Sequence, residues 1–117
     1  MPAVNLSKKT WIATTIGLAD TILGRLVGLL GRRSLEPEEA LWIVPCKSVH
    51  TIGMRFPIDV VFLTKKHVVV ETVSHLLPGR LTKWHFSAYS VLELPAGAVN
   101  RARIAAGDQL DISTVGA

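Results

Sequence analysis

The run Val60-Val61-Phe62-Leu63 constrains the fold more than any other part of the chain. Four consecutive apolar residues leave no polar face, so a strand built from them needs cover on both sides. Val68-Val69-Val70 repeats the pattern after Lys65-Lys66. That lysine pair marks a tight turn, although it lacks the glycine or asparagine that usually makes one. Strands of this kind at short spacing predict a mainly β fold: a compact antiparallel β-sandwich or barrel-like single domain with one or two short helices. Stacking or closure of sheets also protects their edges.

The remaining elements follow from period and punctuation. Residues 10–18, rich in threonine and isoleucine, suit a strand. Leu23, Leu26, Val27 and Leu30 then fall at i, i+3, i+4 and i+7, one face of a helix, with Asp20 as N-cap and Gly31 beyond the last turn. "LWIVP" predicts a short strand closed by Pro45. Further strands are expected at 49–55, 58–64, 67–74 and 89–94. Residues 75–88 form the longest loop, and 97–104 a short helix. A turn at Gly107-Asp108 leads to a last strand.

With 117 residues the chain holds one core. It divides into an N-terminal extension (1–9), a single domain (10–113) and a C-terminal tail (114–117). A content of 49% hydrophobic and 19% charged residues excludes a disordered chain. The net charge of +4 favours anionic partners, and the partner expected is an anionic small molecule or another protein. Its basic residues come as doublets, Lys8-Lys9, Arg32-Arg33 and Lys65-Lys66, rather than as a stripe, so nucleic-acid binding is weakly supported. Cys46 stands alone, which forbids an intrachain disulfide and fits the cytoplasm. Residues 11–30 imitate an export signal or membrane anchor. Asp20 and Arg25 interrupt the roughly 20 uncharged residues that a span requires, so a folded segment is expected there and a membrane role is the alternative.

Three ordered blocks carry a resemblance to a known family: "LGRLVGLLGR", "CKSVHTIGMRFPIDVVFL" and "SVLELPAGAVNRARIAAGDQLDI". Over residues 10–113 the chain resembles domain-of-unknown-function family 192, small prokaryotic β-rich proteins without an established activity. The resemblance implies a β-sandwich or barrel with a short helix or two. Its characteristic positions fall on His50, Met54, Pro57, Asp59, Leu94, Pro95, Gly97, Gly107 and Asp108. It implies no catalytic residues. The family often has Asp-Gly where this chain has Lys65-Lys66.

The residues that carry chemistry are few. Asp59 precedes the apolar run, and a buried carboxylate needs partners. It is expected to accept backbone N–H groups from a neighbouring loop, or else to orient His50 or a ligand amine. His50 is the first candidate for acid–base work or metal binding. Cys46 and His50 are four apart, roughly 13 Å if the chain between them is extended. No Cys-x-x-Cys or His-x-x-x-His pair declares a metal site, and neither a phosphate-binding glycine loop nor a nucleophile elbow is present. No cofactor is expected. Arg80, Trp84 and His85 on the long loop join His50 and Asp59 as candidate ligand-binding residues. Met54, Pro57, Pro95, Gly97, Gly107 and Asp108 read as structural. Together these features predict a ligand- or protein-binding accessory module without catalysis. Two alternatives stand beside it: a metal-assisted or acid–base enzyme using His50 and Asp59, and an accessory protein of an envelope or pilus assembly.

Overall fold

The computed structural model describes residues 2–21, 29 and 31–112. Strand β1 (Ala3–Asn5) lies between β2 (Thr10–Ala13) and β8 (Leu110–Ile112) in a small antiparallel sheet. The larger sheet has the order β3 (Thr15–Ala19), β4 (Glu39–Ile43), β7 (Ser90–Pro95), β5 (Ile58–Leu63), β6 (Val69–Leu76). The two sheets stack as a sandwich and do not close into a barrel. All pairings are antiparallel except β3 with β4, which run parallel. Helix α1 (Ala98–Arg101) is shorter than the expected 97–104.

All six residues of β5 are buried. Successive side chains point to opposite faces, so the strand feeds two cores. Val61 and Leu63 pack with Ile12, Ala13, Leu110 and Ile112 of the small sheet. Ile58, Val60 and Phe62 pack with Leu29, Leu35, Val49 and Met54 on the other face. The small sheet therefore covers one side of the large sheet, and loops cover the other.

The first residues build this sandwich, since Ala3–Asn5 is the middle strand of the small sheet. Buried Asn5 donates to Asp108 Oδ2 at 3.0 Å, and Lys8 Nζ reaches the same carboxylate at 2.8 Å. Ala105 N–H completes the set at 3.0 Å. Burial alone raises the Asp108 carboxyl, but these donors together hold it below its ordinary range. The β5–β6 turn works without glycine. Thr64 Oγ1 accepts from the N–H groups of Lys66 and Val68, and His67 takes the left-handed conformation with φ 64°.

Two of these expectations change. No strand spans 49–55; Gly53, at φ 86°, turns the chain there, and His50 makes only an isolated bridge to Leu81. The guanidiniums of Arg101 and Arg103 donate to the carbonyls of Trp11, Ile12 and Lys8. Strand β6 runs on to Leu76, so the long loop starts later. The helix expected on Leu23, Leu26, Val27 and Leu30 lies outside the described residues. Among those described, no helix is long and apolar enough to cross a membrane.

Candidate functional site

The long loop does not hang free. It runs antiparallel to residues 46–51 through irregular backbone bonds: Cys46 N–H to Tyr89 O, His85 N–H to Lys47 O, Thr82 N–H to Val49 O and Thr51 N–H to Arg80 O, all 2.8–2.9 Å. Buried Thr51 is the knot of this ladder. Its hydroxyl donates to Leu77 O at 2.6 Å and accepts from Arg80 N–H at 2.9 Å. Lys47 Nζ donates to the carbonyls of Phe86 and Ala88 at 2.7 and 2.6 Å, fixing the far end.

Alternation along the loop sorts its side chains. His85 turns inward, where its ring stacks on Phe62 with centroids 3.9 Å apart, and its Nε2 pairs with Glu71. Its other ring nitrogen, Nδ1, is buried without a partner among the described residues. Trp84 and Phe86 turn outward, 57% and 83% exposed, and do not plug the core. They meet edge to face at 6.4 Å. Ile52, Leu77 and Leu81 are also exposed on the paired loops, 44–72%. Arg55, Arg80 and Lys83 stand exposed among them, as does His50.

Asp59 is placed elsewhere. It points to the face of β5 opposite Phe62, has no exposed surface, and uses both oxygens on backbone donors. Oδ1 accepts from His75 N–H at 2.8 Å. Oδ2 accepts from Gly97 and Val99 N–H at 3.0 and 2.9 Å, the start of α1. The carboxylate thus supplies the capping oxygens that Gly97, with no side chain, lacks. His50 makes no bond to it. The sheet therefore separates Asp59 from the loop face, while His50, Arg80 and Trp84 share that face and His85 anchors it. Among the described residues, no three His, Cys, Asp or Glu side chains converge as metal ligands. Two open hollows beside residues 36–39 contain none of the five candidates.

Glu93 escaped the sequence reading. "SVLEL" alternates as if the glutamate faced water, yet Glu93 is 3% exposed at the middle of the large sheet. Leu41 and Val60 lie directly across from it. Burial pushes its carboxyl up to about 7. No local signal marked it, because an antiparallel strand can leave one face in water and the residues that cover this face lie far away in the sequence.

The model of the uncharacterised DUF192 family matches residues 3–112, a span that includes both β1 and β8. The chain belongs to this family. A UPF0127 protein of Pyrococcus furiosus is 30% identical over 114 residues, covering 92% of this chain and 95% of the relative. Two solved structures share the DUF192 fold seen here, each at 22% sequence identity. One, a protein of unknown function from Novosphingobium aromaticivorans, has a TM-score of 0.75 over 96% of this chain and 93% of its own. The other, a Sinorhizobium meliloti protein named as a candidate transcription regulator, has a TM-score of 0.82 over 94% and 89%. At that identity the likeness extends to the fold alone.

Proposed function

We propose that this DUF192 chain is a binding module without catalysis, and that its recognition surface is the paired-loop face. The carrying observation is the set of exposed apolar side chains, Ile52, Leu77, Leu81, Trp84 and Phe86, on loops pinned by backbone bonds. Large apolar side chains exposed together on one pair of loops mark an interaction site. Pinned loops lose little freedom on binding. Tryptophan and arginine, both exposed on these loops, are among the residues enriched at the hot spots of protein interfaces. Arg55, Arg80 and Lys83 are exposed on the same loops, so the fitting partner is a protein segment that alternates aliphatic and acidic residues. A cytoplasmic location belongs to the same proposal, because a lone thiol such as Cys46 suits a reducing compartment.

The acid–base alternative has less support. Asp59 is committed to α1 and to His75 N–H, on the far face of the sheet from the loops. The test is selection of displayed twelve-residue peptides on the wild-type protein. Enriched peptides should be acidic and aliphatic. Trp84→Ala/Phe86→Ala should bind them more than about tenfold more weakly with an unchanged melting temperature. Equal binding by the double variant would overturn the assignment of the surface.

A further inference from the structure

Three acids are buried among the described residues, Asp59, Glu93 and Asp108. The fold supplies donors to two of them. Asp59 has three backbone N–H groups, and Asp108 has Asn5, Lys8 and Ala105. Glu93 has no hydrogen bond and no ion pair with any described residue, and among those residues burial is what raises its carboxyl.

Its surroundings are defined by strand register. Gly17, Leu41, Glu93, Val60 and Val73 form one row across the five strands, all on the face away from the small sheet. Directly opposed side chains have Cβ atoms about 5 Å apart, so the carboxyl rises between two aliphatic walls. The row ends at exposed Gly17 on the edge strand. Among the described residues, a Cβ added there would meet only Leu41 Cδ1 at 3.5 Å and Ala40 O at 3.9 Å, an ordinary contact distance that leaves a shelf beside Leu41.

We infer that Glu93 is the acid of a second ligand site, on this face of the large sheet, that takes the ammonium group of an organic amine with an apolar body. An unpaired buried carboxyl is costly to a fold, and leucine at this central position would avoid the cost. Acids held in that state mark sites. An ammonium brings both the missing charge and up to three donors. Leu41 and Val60 favour an alkyl body behind it, and the Gly17 shelf gives it room to lie. The site lies on the same side of the large sheet as the paired loops but shares no residue with their exposed surface, and it does not depend on the binding reading.

The probe is n-butylammonium, added to the full chain while the ¹³C resonance of the Glu93 carboxyl is followed from pH 4 to pH 9. Saturating amine should lower the titration midpoint by a unit or more. Affinity should climb about tenfold per pH unit until Glu93 is ionised. The neutral n-pentanol should leave the midpoint in place. Glu93→Gln should bind the amine at least tenfold more weakly. Gly17→Val fills the shelf without touching the acid; it should weaken binding while leaving the amine-free titration as in the wild type. Trp84→Ala/Phe86→Ala should bind n-butylammonium normally, so the two sites stand or fall separately. A Glu93 midpoint that n-butylammonium does not move, or equal affinity in Glu93→Gln, would overturn the proposal.

Discussion

Asp59 and Glu93 are both carboxyls with almost no exposed surface, and they differ in their hydrogen-bond partners. Asp59 has a charged-form donor on every side that matters, so replacing one oxygen with an amide sets an N–H against a backbone N–H. Asp59→Asn should cost about 3 kcal/mol and fray α1, read by urea unfolding and by amide exchange at Val99. An unchanged unfolding midpoint would contradict the capping role. For Glu93, the folded state keeps the proton up to about pH 7, against the 4.5 of an ordinary glutamate. Between those values the unfolded chain binds fewer protons, so stability falls as pH rises through the window. The full effect, roughly 3 kcal/mol above pH 7 and absent below pH 4.5, should vanish in Glu93→Gln. The stability gap between variant and wild type should therefore widen from pH 4.5 to pH 8; a constant gap would mean that Glu93 is ionised and accommodated. Asp59 was legible because a polar residue before an apolar run needs partners. Those partners, 16 to 40 residues away, were not. Glu93 was illegible because local alternation cannot reveal whether distant residues cover the second face of a strand.

At the scale of elements, local pattern and tertiary pairing part company in residues 49–55. The alternation there is real, with Val49 and Thr51 buried and His50 and Ile52 exposed. The hydrogen bonds, however, go to an irregular loop rather than to a strand, and side-chain period alone does not distinguish the two. The β5 assignment succeeded because cover on both faces is written into its own residues. The β5–β6 turn hid its chemistry in Thr64 and His67 instead of the usual asparagine and glycine. Thr51 holds the paired loops from within. Thr51→Val keeps the shape and removes both hydroxyl bonds, which should cost about 2 kcal/mol locally. Amide exchange at Arg80 and Thr82 should speed more than tenfold while Val61 and Leu92 stay protected. Uniform acceleration across the domain would show that the loops do not open as a separate unit.

At the scale of the whole molecule, the layers divide labour. The small sheet and α1 seal one face of the large sheet, using Asp59, Asp108 and Asn5 as fixed polar ties. The paired loops cover the opposite face and turn their aromatics to solvent, with His85 gripping Phe62 and Glu71 from the inner side. The sandwich is then a rigid platform, and the loop face is the surface it presents. The most direct test is amide chemical-shift mapping of the wild-type protein with an acidic aliphatic peptide selected on it. Shifts concentrated in residues 50–56 and 77–89 are predicted, fading as salt is raised because Arg55, Arg80 and Lys83 meet the acidic residues in water. Shifts centred instead on α1 or the small sheet, with the loop resonances unmoved, would contradict the account.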